Sequence, residues 1–231
     1  MTDVYVVAGT GPWSRTVFDE RLATRPGRWV FAGASRELTA ARLEQLRPRY
    51  VFFLHWSWKV PAEILNAHEC IGFHMTDLPY GRGGSPLQNL ILRGHRTTTL
   101  AAFRLVEAVD AGPVYLKTPV SLDGRAEDIY LRVAHIAADM IADLLQSPRT
   151  PTPQDGEVVV FRRRSPADSR VPEVTTLGRV YDFIRMLDAE GYPKAFTEVD
   201  GWRYEFSNAS LDGDSVRAEV RISPLPTTDQ S

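Results

Sequence analysis

At 231 residues, 43% hydrophobic and 24% charged with a formal net charge of −2, the chain has the composition of a globular protein large enough for one good core and an appendage. No basic excess points to nucleic acid, and a single cysteine, Cys70, excludes an internal disulfide framework and a thiolate metal cluster. No basic flank and apolar core of a leader opens the chain, and no apolar run of about eighteen residues occurs, so a soluble, cytoplasmic protein without membrane contact is expected.

Residues 4–8 form a continuous apolar run suited to a buried first strand, followed by the turn Gly9-Thr10-Gly11-Pro12 and a helix predicted over 14–23. The turn lacks the third glycine of the dinucleotide fingerprint and reads as a plain strand-to-helix turn. A strand is expected over 29–32, then a helix over 38–46 carrying Leu38, Leu43 and Leu46 and ending before Pro48. Tyr50 to Leu54 is the most strand-like run in the chain, rich in β-formers. His55-Trp56-Ser57-Trp58-Lys59-Val60 leaves it, and Pro61 suits the first turn of a short helix through Asn66.

A short apolar run from Cys70 then delivers His74 into a segment dense with Gly and Pro. In an open α/β sheet, ligands bind beyond the carboxyl ends of the strands, and an imidazole there can act as a base near neutral pH. A second turn, Val109-Asp110-Ala111-Gly112-Pro113, brings in an acid. The two residues suggest proton transfer, while a structural His and an ordinary turn Asp are the commoner account of such a pair.

Downstream, a helix is expected over 86–93 with Gly94 as its stop, and strands over 97–107 and 112–119 make a hairpin around Asp110. Residues 126–145 form the clearest amphipathic helix, with Ile129, Val133, Ile136, Met140, Ile141 and Leu144 at helical spacing and His135 in a structural position. A Pro-rich link over 147–153 precedes a strand over 158–161. Arg162-Arg163-Arg164 follows, suited to a phosphate grip or, as charge runs usually are, to a solvated surface. A helix over 180–187 and two strands over 196–206 and 215–222, turning at Asp212-Gly213, complete the chain before a frayed polar end.

His74, Thr76-Asp77-Leu78-Pro79, Arg82-Gly83-Gly84-Ser85-Pro86 and Asp110-Ala111-Gly112 resemble, in order and spacing, the signature of the folate-dependent formyltransferases, the family of methionyl-tRNA formyltransferase and the sugar N-formyltransferases. The likeness covers residues 51–146. Residues 180–196 are similar to the segment that follows the catalytic domain in sugar-modifying members, to which the chain reads closest. The resemblance implies an α/β fold: a Rossmann-like catalytic domain with a mostly parallel sheet over 1–160, and a small C-terminal helix and β-hairpin extension over 161–231. The resemblance also implies that one strand–helix unit ahead of Tyr50 is missing or reduced relative to the tRNA enzyme.

The chemistry implied by the resemblance is movement of the formyl group of 10-formyltetrahydrofolate to a primary amine, with no metal. His74 would be the base and Asp110 its partner. Trp56, Trp58, Val60, Leu78, Pro79, Gly81 and Arg82, with Asp110, would surround the pterin, although Trp56 and Trp58 suit packing at the sheet edge equally well. One departure stands out: the family's Asn two residues before the His is Gly72 here. Gln88, Asn89, Thr76, His55 or a backbone N–H are the candidates to replace it as an oxyanion donor, a role whose loss typically costs about 10²–10³ in rate.

For the acceptor, the Thr-Asp-Leu-Pro form and the segment 185–193 favour a nucleotide-linked amino sugar. Another small amine (N-hydroxyornithine or an antibiotic precursor) and a folate-binding or hydrolytic protein that has lost transfer are the alternatives. No tRNA partner is expected, because about seventy residues after the catalytic region are too few for a barrel domain and the chain is not basic. A homodimer is expected, since a two-stranded ribbon carrying Trp202, Tyr204 and Phe206 is marginal alone.

Overall fold

The computed structural model describes residues 2–225. Four strands, β1 (Val4–Gly9), β2 (Arg28–Ala32), β3 (Tyr50–Leu54) and β4 (Cys70–His74), run parallel. A short strand, β5 (Tyr80–Gly83), leaves this sheet, which the antiparallel pair β6 (Thr97–Arg104) and β7 (Val114–Ser121) completes in the order β2-β1-β3-β4-β6-β7. The expected hairpin around Asp110 is therefore present.

Alternation along the strands feeds two cores. Tyr5, Val7, Phe52, Leu54 and Ile71 face one side, against α1 (Gly11–Val17), α4 (Pro86–Leu92) and α5 (Ala126–Gln146). Val6, Ala8, Val51, Phe53 and Cys70 face the other, against Leu43 of α2 (Ala40–Leu46) and Ile64 of α3 (Ala62–Ala67). Each such fully buried Val, Leu, Ile or Phe is worth about 1.5–3 kcal/mol of transfer free energy. The helix expected over 14–23 starts earlier, with Pro12 in its first turn, and passes into a wide π-helical turn over Phe18–Leu22.

β8 (Val159–Phe161) pairs in parallel with β5, tying the segment after the Pro-rich link to the Gly-rich loop. α6 (Leu177–Arg185) is anchored by a buried guanidinium: Arg185 Nη1 donates to the carbonyls of Leu122 at 2.6 Å and Gly124 at 2.8 Å, and its Nε to Asp182 at 2.7 Å. A buried charge is tolerated only when paired and hydrogen-bonded in this way.

The C-terminal hairpin expected from the sequence is a three-stranded antiparallel sheet, β9 (Ala195–Val199), β10 (Trp202–Asp212) and β11 (Ser215–Pro224). The single strand predicted over 196–206 is broken at Asp200-Gly201, where φ is +49° and +81°. Two consecutive positive φ values are what a two-residue hairpin turn of the favoured hand requires, and Asp-Gly is a preferred pair for it. The frayed polar end lies mostly outside the described residues. No helix among the described residues is long and apolar enough to cross a membrane.

Candidate active site

β3 and β4 are neighbours in register, Phe53 opposite Gly72, so their carboxyl ends bring His55 and His74 to the same rim of the sheet. A cleft of about 600 Å³ opens there. Its two sides follow the two cores. Phe53, Trp56, Val60, Leu65 and Leu105 line it on the α2–α3 side, and Phe73, Met75, Tyr130, Val133 and Ala137 on the α5 side.

His74 and Asp110 meet in this cleft. His74 is 9% exposed. Its Nε2 donates to the carbonyl of Gly81 at 2.8 Å, which fixes the ring and leaves Nδ1 as the nitrogen on the Asp110 side, 3.7 Å from Oδ2. Ring orientation thus comes from the Gly81 carbonyl, and the carboxylate is placed to balance a positive ring.

Asp110 is itself held in a left-handed conformation, φ +51°. The N–H of Gly83 donates to its carboxylate at 2.8 Å. Gln154 Nε2 donates to the carbonyls of Asp110 and Gly112, both at 2.8 Å, while its Oε1 accepts from Arg82 Nε at 3.0 Å and Nη2 at 2.7 Å. Gly112 is required by close approach: a Cβ there would stand 1.7 Å from the carbonyl oxygen of Arg104.

Of the other residues expected around a pterin, Trp56, Trp58 and Val60 line the cleft. Trp56 and Trp58 also pack on each other, ring centroids 4.8 Å apart and near-perpendicular. Leu78, Pro79, Gly81 and Arg82 do not line it. Leu78 is buried beside Ala101 and Phe103, Gly81 lies under His74, and Arg82 is spent on Gln154. Their loop is pinned from outside by Lys117, whose Nζ donates to Asp77 at 2.5 Å and to the Leu78 carbonyl at 2.7 Å.

Gly72 cannot simply be replaced. A Cβ at this position would lie 2.7 Å from Leu105 Cδ2 and 3.0 Å from Phe103 Cε1, so apolar side chains fill the place of an Asn side chain. Three of the candidate substitutes are occupied elsewhere. Gln88 Nε2 donates to Tyr130 Oη at 3.1 Å and to the Met186 carbonyl at 2.9 Å. Asn89 Nδ2 reaches the carbonyls of Gly84, Ser85 and Arg162. Thr76 Oγ1 donates to the Gly81 carbonyl at 3.4 Å. Of the arginine run, Arg163 and Arg164 line the cleft, whereas Arg162 pairs with Asp168 at 2.8 Å on the surface.

The sequence reading missed Gln154, which sits in what looks like a linker, and the α5 side of the cleft, Tyr130, Val133 and Ala137 with Tyr192. The apolar positions of α5 are legible as a core face; that one end of that face is left open to a cleft is a tertiary fact.

The fold matches that of known proteins closely. A solved structure described as methionyl-tRNA formyltransferase from Clostridium thermocellum superposes with a TM-score of 0.91 at 39% identity, over 96% of this chain and 99% of that one. The chain belongs to the formyltransferase family. A methionyl-tRNA formyltransferase of Cutibacterium acnes is 31% identical over 171 residues, 70% of this chain and 54% of that protein. The chain spans about half the length of the curated relatives it matches. The profile of the methionyl-tRNA formyltransferase C-terminal domain matches residues 166–223. HypX from Aquifex aeolicus, solved in complex with tetrahydrofolic acid, shares the fold, with a TM-score of 0.73 at 19% identity over 90% of this chain and 38% of that one.

These matches overturn the expected partners, an amino-sugar nucleotide and no tRNA. The relatives reported above at 31% and 39% identity are named for methionyl-tRNA. The error came from reading the short C-terminal segment as the loss of the tRNA enzyme's second domain. Residues 166–223 match that domain's profile, in a helix and three strands.

Proposed function

We propose that this protein transfers the formyl group of 10-formyltetrahydrofolate to a primary amine, and that the amine is the amino group of methionyl-tRNA. The observation that carries the reading is the His74–Asp110 pair, with Nδ1 3.7 Å from Oδ2 at the floor of a cleft of about 600 Å³. That volume falls within the range of about 300–1,000 Å³ usual for small-molecule sites. The names of the relatives support the choice of acceptor.

The amine nitrogen attacks the formyl carbon, the bond from that carbon to N10 of the folate breaks, and N10 leaves with a proton. A protonated amine has no lone pair, so it must lose a proton before or during attack. Nδ1 of His74 is the base, since Nε2 is bonded to the Gly81 carbonyl. The ring becomes positive as it takes the proton, and Asp110 stabilises it, the role of the acid in a hydrolase triad. Gln154 and Gly83 hold that acid in place. Gln88, Asn89 and Thr76 are bonded elsewhere, so the oxyanion donor is another group lining the cleft. Holding both substrates there supplies a large part of the barrier reduction.

The test is release of tetrahydrofolate by the full chain with and without methionyl-tRNA. Release that depends on methionyl-tRNA and yields formylmethionyl-tRNA supports the reading; release to water alone, or none, defeats it.

A further inference from the structure

Three residues lining the cleft, His55, Trp56 and Arg164, carry a buried nitrogen without a hydrogen-bond partner among the described residues, and of these the His55 ring is the one able to accept a hydrogen bond. His55 follows the last residue of β3 with φ +51°. Strand alternation would send its side chain to the Phe53 side; the left-handed turn instead packs the ring against Trp13 and Tyr130, on the α1–α5 side. The centroid distances are 5.6 Å and 5.2 Å, both near-perpendicular. Thr10 Oγ1 donates to the His55 carbonyl and pins this turn.

The surroundings also fix which nitrogen carries the proton. Ser14 Oγ donates to the Thr10 carbonyl at 2.8 Å, so its oxygen is an acceptor toward His55 Nδ1, 3.4 Å away. Nδ1 then carries the hydrogen and Nε2 is a bare acceptor. Nε2 is shielded from solvent and has no hydrogen-bond partner among the described residues. Burial holds the ring neutral, lowering its pKa from 6.5 to about 3. Buried polar atoms are nearly always bonded, and an exception calls for an explanation such as a ligand.

We propose that Nε2 of His55 accepts a hydrogen bond from an N–H or O–H of the acceptor molecule, making His55 a residue that positions and selects the acceptor. The inference rests on the formyl-transfer reading above. The family resemblance places the pterin of the donor by Trp56, Trp58 and Val60, which line the cleft, and this leaves the α5 side, lined by Tyr130, Val133, Ala137 and Tyr192, for the acceptor. A neutral ring that cannot donate at Nε2 would not stabilise an oxyanion, so the contact is one of binding.

The experiment pairs His55→Asn with His55→Gln. The Gln amide oxygen reaches the Nε2 position, and the Asn amide does not. In formyl transfer, H55N is expected to raise the KM for methionyl-tRNA at least tenfold with the KM for 10-formyltetrahydrofolate within twofold, and H55Q to recover most of the loss. An unchanged acceptor KM in H55N, a rise in the donor KM instead, or an H55Q as defective as H55N would overturn the proposal. An arm independent of activity uses wild-type protein labelled with ¹⁵N-histidine and L-methioninamide as the amine probe. The Nε2 resonance of His55 should move as it accepts a hydrogen bond, and a response confined to other His rings would overturn the proposal. If wild type transfers no formyl group yet His55 responds, the functional reading fails and the subsite stands.

Discussion

Nδ1 of His74 stands 3.7 Å from Oδ2 of Asp110, while the opposite nitrogen of the ring is already bonded to a backbone carbonyl. The carboxylate is therefore needed for its charge more than for orientation. Asp110→Asn keeps an oxygen for the Gly83 N–H and removes the charge. It should lower kcat by about 10²-fold or more, the usual worth of assisted proton transfer, with the Tm nearly unchanged. Steady-state rates beside a thermal melt check this, and a kcat within tenfold of wild type would place the charge outside the mechanism.

Restoring the family's residue should fail. Gly72→Asn must displace Leu105 and Phe103, because even a Cβ would lie 2.7 Å from the former. Overpacking of this kind costs about 1–3 kcal/mol, so denaturant midpoints should fall and activity should not rise. A variant faster than wild type would mean the apolar pair yields easily.

Gly112→Ala tests how firmly Asp110 is placed. Its Cβ would meet the Arg104 carbonyl at 1.7 Å, so the loop between β6 and β7 must open. The expected cost is about 1–3 kcal/mol, a fall in Tm of about 2–12 °C for a chain of this size, with a loss of kcat exceeding that of stability. Melting curves and rates at one temperature decide it.

His55 makes stability pH-dependent in a predictable direction. Its folded pKa, about 3, is below the ordinary 6.5, because burial disfavours the charged ring. Between those values the unfolded chain binds the proton and the folded one does not. The contribution is thus complete above pH 6.5 and declines as the pH falls toward 3. Asn does not titrate and tolerates positive φ, so H55N should lose less stability than wild type from pH 7 to pH 5. Parallel melts compare the slopes, and equal slopes would show that the ring titrates normally.

The fold was largely legible because its strands are apolar runs bounded by turns and α5 carries an unambiguous helical stripe. The break at Asp200-Gly201 was missed because a strongly β-prone run surrounds it, although the Asp-Gly pair itself was the signal. His74 and Asp110 were legible as a motif, and the structure brings them together. Gln154 was not, since a Pro-rich segment offers no periodicity and its bonds to Asp110 and Gly112 span more than forty residues of chain. Leu78, Pro79, Gly81 and Arg82 belong to the same motif but support the site from beneath. A motif records which residues travel together, not which of them face a ligand.

The central claim is that Nδ1 of His74 takes the proton of an amine being formylated. It is tested most directly by transfer of ¹⁴C-formyl from 10-formyltetrahydrofolate to methionyl-tRNA, comparing wild type with His74→Ala across pH 5.5–8.5. The account predicts label in formylmethionyl-tRNA with wild type, and at least a 10²-fold lower kcat in H74A with the folate KM within about threefold. H74A transfer within tenfold of wild type, or labelled product absent from both, would contradict it.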